Sequence, residues 1–167
     1  MRLPVMANDP DAIDIEQTKK MVDLFMEAGL TYFDTAYVYG KDGASEKAAK
    51  AALVDRYPRD SFTLATKVNV NAMPPNGKDA KIQQFRTSLE RTGAGYFDFY
   101  LLHAIKKNNC KKYEEYGIWD YVRELKREGL VRHYGFSFHD GPELLDQLLT
   151  DHPDVDFIQL QINYADW

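Results

Sequence analysis

Short apolar segments alternate with amphipathic segments along most of the chain. The apolar segments are rich in β-branched and aromatic residues, as buried strands are. The amphipathic segments repeat apolar residues three or four positions apart, which is typical of helices. Predicted strands cover residues 31–34, 62–67, 96–103, 131–137 and 155–162, and predicted helices cover 15–29, 45–58, 79–91, 113–128 and 143–149. Residues 1–7 predict a loop or the exit of a strand, and residues 8–11 predict a turn.

Alternation of strands and helices with short connections predicts a parallel sheet with helical crossovers. No strand is followed by Gly-x-Gly-x-x-Gly, so the dinucleotide-binding pattern of the doubly wound fold is absent. A (β/α)8 TIM barrel fits better, because a barrel brings polar groups at successive strand ends to one mouth. The chain has 167 residues, whereas a complete barrel needs roughly 250. We therefore predict one α/β domain over residues 1–167, an incomplete barrel of about five strands.

Composition narrows the possible partners. The chain is 44% hydrophobic and 28% charged, with a net charge of −5, which is typical of a globular protein. Residues 106–112 form the one basic cluster, which predicts a solvated loop and not a nucleic-acid surface. No window approaches the ~18 apolar residues of a membrane span. Cys110 is the single cysteine, so we expect an incidental exposed thiol, a reducing compartment and a cytoplasmic protein.

Polar side chains stand at the C-terminal ends of the predicted strands. Tyr39 follows the strand-end residue Asp34 by five positions. A lysine near Tyr39 would favour the phenolate form and lower the pKa of this tyrosine. A carboxylate could hold that lysine, and a histidine could donate a hydrogen bond to a carbonyl oxygen or relay a proton. The set suits protonation of a carbonyl oxygen as hydride arrives at carbon. The strand-end residues are Asp34, Lys67, His103, Ser137 and Gln161.

Each of these residues alone also has a structural explanation. Asp34 could cap the next helix, Lys67 could be a surface lysine, and His103 could be a structural histidine. A metal-dependent hydrolase is a weaker alternative, because the four histidines include no His-x-His or His-Glu-x-x-His pair. We therefore expect no metal site. The joint occurrence at three strand ends favours the catalytic interpretation.

Three segments resemble the aldo-keto reductase family. Phe-Asp-Thr-Ala-Tyr-Val-Tyr-Gly at 33–40 is similar to the family's Asp-Thr-Ala…Tyr-Gly segment. Ala-Thr-Lys at 65–67 resembles its lysine strand, and Asp-Phe-Tyr-Leu-Leu-His at 98–103 resembles its histidine strand. The resemblance implies that Tyr39 is the general acid. It also implies that Lys67 and Asp34 tune this tyrosine and that His103 orients the carbonyl of a small-molecule aldehyde or ketone.

The resemblance also implies a nicotinamide cofactor, NADPH by family habit with NADH open. Gly-Phe-Ser at 135–137 is similar to the strand that holds the carboxamide, with Ser137 in that role and Gln161 as a second contact. Met1 and Arg2 resemble the loop where backbone touches the cofactor, and Asp34 would also lie against it. The whole set of motifs, including the segment 135–140, most resembles the bacterial branch whose members often carry a C-terminal iron–sulphur segment, although no such cysteines occur here.

The resemblance covers the family's second to sixth strands. The last two strands, and the basic loop that grips the cofactor's phosphates in the family, have no counterpart among the 167 residues. The chain is either a fragment of a longer gene product or a natural partial barrel. A partial barrel would expose sheet edges and an apolar interior, so we expect self-association or pairing with the missing piece. The predicted function is NAD(P)H-dependent reduction of an aldehyde or ketone. The alternative is a non-catalytic partial barrel that acts as an assembly or regulatory subunit.

Overall fold

The computed structural model describes residues 3–75, 77 and 79–162. A small antiparallel hairpin precedes five parallel strands that alternate with helices. The strands are β1 Val5–Met6, β2 Asp9–Ile13, β3 Tyr32–Asp34, β4 Thr63–Val68, β5 Phe97–Ile105, β6 Val131–Phe138 and β7 Phe157–Leu160. The helices are α1 Ile15–Glu27, α2 Ala44–Ala49 with a π-helical continuation Lys50–Val54, α3 Ala80–Thr92, α4 Cys110–Glu115, α5 Ile118–Arg127 and α6 Pro142–Asp151.

The five parallel strands lie in chain order, β3-β4-β5-β6-β7. Each strand pairs in parallel with the next, as in the registers Asp34↔Ala65, Lys67↔Leu101 and Ser137↔Gln159. Parallel neighbours joined by helices align all the carboxyl ends of the strands at one edge of the sheet. The predicted incomplete (β/α)8 barrel is confirmed.

The sheet curls into a half-barrel. Gln159 on β7 donates a hydrogen bond to Asp34 on β3, with Nε2 3.3 Å from Oδ1. These strands are the two outer strands of the sheet, and four steps of about 4.8 Å would set them roughly 19 Å apart if it were flat. Side chains that meet across this span show that the sheet closes around a concave face.

The hydrophobic core lies between the sheet and the helices. Phe85 on α3 packs edge-on against Tyr100 of β5, and Trp119 on α5 packs edge-on against Phe136 of β6. All four are almost completely buried. Because side chains alternate along a strand, the residues next to these strand positions point to the opposite, concave face.

The concave face carries an aromatic cluster, formed by Tyr32, Phe99, His133 and Phe157. The Phe99 ring lies 5.1 Å from Tyr32, 5.3 Å from His133 and 5.2 Å from Phe157, measured between ring centroids. Tyr32 precedes Asp34 by two positions and Phe157 precedes Gln159 by two, so the cluster shares its face with the polar strand ends. Tyr32 remains 40% exposed.

Two predicted elements differ from the structure. The turn predicted at residues 8–11 is wrong, because Asp9–Ile13 pairs antiparallel with Val5–Met6. The chain reverses at residues 7 and 8 instead. Pro10 is tolerated there because a two-stranded ribbon leaves one side of each strand without ladder bonds. The single helix predicted over 113–128 is divided at Gly117, whose φ of +60° is left-handed. Glycine adopts this conformation without strain.

Candidate active site

Lys67 and Asp34 form a charge pair at the carboxyl ends of β4 and β3. The Lys67 Nζ lies 2.6 Å from each Asp34 carboxylate oxygen and donates to the Thr35 carbonyl oxygen at 2.8 Å. Lys67 is only 1% exposed. Burial lowers the pKa of Lys67, while the charge and hydrogen bonds of Asp34 oppose that change. The pair therefore holds an ammonium group at a place that water hardly reaches.

Tyr39 lies in the turn that follows β3. Its backbone N–H donates to the Ala36 carbonyl, and its carbonyl accepts from the Ser45 N–H at the start of α2. These two hydrogen bonds fix the turn. The Lys67 Nζ lies 5.0 Å from the centroid of the Tyr39 ring. The His103 ring meets the Tyr39 ring edge-on at 5.3 Å between centroids. The structure thus places two other predicted catalytic residues, Lys67 and His103, beside the Tyr39 ring.

The pKa of Tyr39 moves opposite to the sequence-based expectation. Burial raises this pKa, and the nearby Asp34 carboxylate raises it further. The expectation that Lys67 lowers it was wrong because the ammonium is bonded to the two carboxylate oxygens and its field is largely cancelled there. Tyr39 is consequently a protonated phenol at neutral pH, able to donate a proton.

His103 sits at a bulge near the end of β5. The pairing with β6 shifts register between Leu102 and Ile105, and Ala104 adopts a left-handed φ of +52°. Two side-chain bonds hold this bulge: Tyr113 Oη donates to the His103 carbonyl at 2.7 Å, and Asn109 Nδ2 donates to the Ala104 carbonyl at 3.0 Å. Bulges commonly re-aim a side chain beside a functional site.

Burial controls the charge of His103. The residue is 9% exposed, and burial together with the positive charge of Lys67 lowers its pKa to about 4. His103 is therefore neutral at physiological pH. A neutral imidazole has one ring N–H, and so it can donate one hydrogen bond and accept another.

Ser137 and two glutamines complete the mouth of the half-barrel. The Ser137 Oγ accepts a hydrogen bond from the Ala104 N–H at 2.7 Å, which leaves its own hydroxyl proton available. Gln161 lines the same pocket, as the sequence predicted, and Gln159 lies beside it against Asp34. Sequence reasoning missed Gln159, although alternation along β7 places residues 157, 159 and 161 on one face.

The pocket between these residues has a volume of about 230 Å³. Asp34, Tyr39, His103 and Ser137 contribute to its walls, and so do His139 and Leu160 beyond the strand ends. Met1 and Arg2, predicted to touch the cofactor, lie outside the described residues. Every other predicted site residue borders this pocket or, like Lys67, supports it from behind.

Gly135 allows the last two strands to approach closely. A Cβ on this residue would lie 2.0 Å from the Phe157 carbonyl oxygen of β7. Real Cβ atoms do not come so near a backbone oxygen, so only glycine fits here. Gly135 therefore sets the position of the strand that carries Gln159.

Two further properties of the described chain bear on its chemistry. Among residues 3–75, 77 and 79–162, no group of three or more histidine, cysteine, aspartate or glutamate side chains is arranged to hold a metal ion. In the same part of the chain, none of the helices has the length and apolarity needed to cross a bilayer.

The half-barrel, with its reactive groups at the carboxyl ends of its strands, defines a protein of the (β/α)8-barrel class. The sequence model of the aldo/keto reductase family matches residues 5–167. The chain therefore belongs to the aldo/keto reductase family, whose members are oxidoreductases. The predicted family is confirmed.

Individual relatives agree with this assignment. An aldo-keto reductase from Mycolicibacterium smegmatis is 30% identical over 148 residues, which cover 89% of this chain and 49% of that protein. The holo form of aldo-keto reductase AKR11C1 from Bacillus halodurans superposes with a TM-score of 0.72 at 27% identity, covering 89% of this chain and 49% of that one. An aldo-keto reductase from Klebsiella pneumoniae, solved in complex with NADPH, is 27% identical with a TM-score of 0.63, covering 81% and 44%. The chain spans about half the length of the curated relatives it matches.

Proposed function

We propose that the protein provides the catalytic part of an NAD(P)H-dependent reductase that converts an aldehyde or ketone to an alcohol. The observation that supports this most strongly is the meeting of Tyr39, the Lys67–Asp34 pair and His103 at one pocket. A protonated phenol, a buried ammonium and a neutral imidazole around one small cavity suit the protonation of a carbonyl oxygen.

Tyr39 is the proton donor in this proposal. When bound, the nicotinamide cofactor supplies a hydride to the carbonyl carbon, so negative charge develops on the carbonyl oxygen. Tyr39 then gives its phenolic proton to that oxygen. Its raised pKa keeps the proton in place until this moment.

The other residues prepare this transfer. Lys67, 5.0 Å from the Tyr39 ring centroid, attracts the phenolate that remains with the part of its charge that Asp34 leaves uncancelled. Asp34 fixes the ammonium in position through its two carboxylate contacts. His103, neutral and beside Tyr39, donates a hydrogen bond that orients the carbonyl oxygen.

The chemistry of the pocket also suits the nicotinamide end of the cofactor. A carboxamide has both a donor and an acceptor group, and Ser137 and Gln161 offer matching partners at the pocket. Gln159 and Asp34 lie next to them. This set does not distinguish NADPH from NADH, which differ at the distant ribose. NADPH is the preferred assignment because of the family, and a cytoplasmic location stays a prediction.

The substitution Tyr39→Phe tests the proposed function. NADPH consumption is followed by absorbance with a panel of aliphatic and aromatic aldehydes. We expect Tyr39→Phe to lower kcat by at least about 100-fold, the usual size of a general-acid contribution, with little change in NADPH binding. Tyr37→Phe is the matched control, because Tyr37 lies two residues earlier and its ring stacks on Arg91 away from the pocket.

Full turnover by Tyr39→Phe would contradict the role of Tyr39. A folded protein that neither binds NADPH nor reduces any aldehyde would contradict the reductase proposal and support the alternative, a partial barrel that serves as an assembly or regulatory subunit. The fact that the chain spans about half the length of its relatives gives this alternative its weight.

A further inference from the structure

We propose that Asn69 is a positioning residue that fixes His103 in the tautomer with its proton on Nε2. Asn69 follows β4 directly, two residues after Lys67, and it is not part of any motif that the sequence analysis singled out. The meaning of this tautomer for catalysis rests on the proposed function. The tautomer itself rests only on hydrogen-bond geometry.

The orientation of the Asn69 side chain is determined by the loop that follows it. The Asn69 Oδ1 accepts a hydrogen bond from the backbone N–H of Asn71 at 2.8 Å, as a cap of the short helical turn Val70–Ala72. A carbonyl oxygen can accept this bond and an amide nitrogen cannot. The Nδ2 group must therefore be the end that faces His103.

The backbone of Asn69 is also fixed by hydrogen bonds. Gln84, a buried residue of α3, receives the Asn69 N–H on its Oε1 and donates from its Nε2 to the Asn69 carbonyl, each at 3.0 Å. One side-chain amide thus satisfies both backbone groups of the residue, as a neighbouring strand would. This clamp ties the end of β4 to α3 and leaves the Asn69 side chain little freedom.

The facing atoms determine where the His103 proton lies. Asn69 Nδ2 is 3.4 Å from His103 Nδ1. Because Nδ2 has only hydrogens to offer, Nδ1 must act as the acceptor in this contact. A neutral imidazole that accepts at Nδ1 carries its proton on Nε2. His103 therefore keeps its one donor group on Nε2, the ring nitrogen that does not contact Asn69. The His103 side chain lines the pocket together with Tyr39.

In other sites a carboxylate beside a histidine fixes the tautomer by accepting a hydrogen bond from a ring nitrogen. Asn69 fixes the tautomer of His103 by donating one instead. A carboxylate beside Nδ1 would draw a proton onto that nitrogen, whereas the Asn69 amide excludes one. A substitution that exchanges donor for acceptor while keeping size constant should therefore move the proton. Asn69→Asp makes this exchange.

The test is nitrogen NMR of protein labelled with ¹⁵N-histidine at neutral pH. Two-bond nitrogen–proton correlations distinguish a protonated from an unprotonated ring nitrogen, and the four histidines are assigned by single His→Gln variants. We expect His103 to show an unprotonated Nδ1 and a protonated Nε2. In Asn69→Asp we expect a protonated Nδ1. Asn71→Asp is the matched control, because it places the same charge on an exposed side chain two residues later, and we expect it to leave the wild-type pattern unchanged.

A protonated Nδ1 in the wild-type protein would overturn the inference, and so would an unprotonated Nδ1 in a folded Asn69→Asp protein. If Asn69→Asp does not fold, the wild-type spectrum still decides, together with Asn69→Ala, in which the Nδ1 resonance must shift because its donor is removed. In the form that turns over aldehydes, Asn69→Asp should lower kcat/KM about 10-fold or more, as loss of a supporting hydrogen bond commonly does. If NMR shows the expected tautomer but the protein reduces no carbonyl compound, the inference about Asn69 stands and only the proposed function is contradicted.

Discussion

Lys67 places its ammonium nitrogen 2.6 Å from both carboxylate oxygens of Asp34, at the ends of two neighbouring strands. A lysine with 1% exposure is costly to bury unless its charge is compensated. The parallel register of β3 and β4 supplies that compensation, because it sets Asp34 and Lys67 at the same edge of the sheet. The pair thus compensates a buried charge at the edge of the sheet where the candidate site lies.

Asp34→Asn should destabilise the protein strongly at neutral pH. It leaves the Lys67 ammonium buried without its counter-charge, a change that costs about 3–5 kcal/mol in other proteins. The pKa of Lys67, already lowered by burial, should fall further when the opposing effect of Asp34 is removed. Urea unfolding measures the free energy, and Asp60→Asn on the exposed surface serves as control.

This destabilisation should shrink as the pH rises. Below pH 10.5, the ordinary pKa of lysine, the unfolded state keeps a proton on Lys67 that the folded variant releases more readily. Where the unfolded state binds more protons, stability rises with pH. We expect a smaller difference from wild type at about pH 9.5 than at about pH 7. An equal difference at both values would mean that Lys67 does not respond to Asp34.

His103 should make the protein less stable in mild acid. Its pKa falls from 6.5 in the unfolded chain to about 4 in the fold, so between these values the unfolded state binds more protons. The unfolding free energy should therefore decline as the pH falls from 6.5 towards 4, by on the order of 2–3 kcal/mol. His103→Gln should show a smaller decline, whereas His133→Gln, on a half-exposed side chain, should keep it. If the unfolding free energy changed equally with pH in wild type and His103→Gln, the conclusion that His103 is buried and neutral would be contradicted.

Gly135→Ala should disturb the pocket through the backbone. The added Cβ would lie 2.0 Å from the Phe157 carbonyl oxygen, so β7 must move and with it Gln159 and Gln161. Overpacking of this kind costs about 1–3 kcal/mol, and we expect weaker NADPH binding as well. Gly141→Ala is the control, because the nearest atom to its new Cβ is the end of the flexible Glu143 side chain. If Gly135→Ala were as stable as the wild type, the close approach of Gly135 to the Phe157 carbonyl would be contradicted.

The concave aromatic cluster should drive self-association of this chain. Tyr32 is 40% exposed on the outer strand β3 and packs on Phe99. Exposed apolar surface beside an open sheet edge favours pairing with another chain. Sedimentation velocity should show oligomers that grow with concentration and weaken in Tyr32→Asn. Leu24→Asn, on the outer side of α1 where Leu24 is 68% exposed, should leave them unchanged. A monomer at every concentration would contradict this prediction.

The fold was predictable because its signals are local. The five strands follow from short apolar runs, and their parallel order follows from the helices between them. The hairpin Val5–Ile13 was not predictable in the same way, since its strands are mostly exposed and carry no apolar alternation. The break at Gly117 had a signal, because a glycine between Tyr116 and Ile118 interrupts the helical pattern.

The site was predictable where its residues stand at strand ends, and less so where contacts cross the fold. The grouping of Asp34, Lys67 and His103 was predictable because a barrel brings the carboxyl ends of its strands to one mouth. Asn69 and Gln84 were missed because the amide clamp between them joins residues 15 positions apart on different elements. The pKa of Tyr39 was expected to move the wrong way, because the sequence does not reveal how fully Asp34 engages the lysine.

Titration of the protein with NADPH measures whether the described strand ends form a working nicotinamide pocket. The fluorescence of NADPH itself reports its binding. We expect saturable binding at micromolar concentrations that weakens at least about 10-fold when Ser137→Ala and Gln161→Ala are combined, since each side chain offers hydrogen bonds worth about 1 kcal/mol or more. A folded protein that shows no saturable binding, or binding indifferent to both substitutions, would contradict a working nicotinamide pocket.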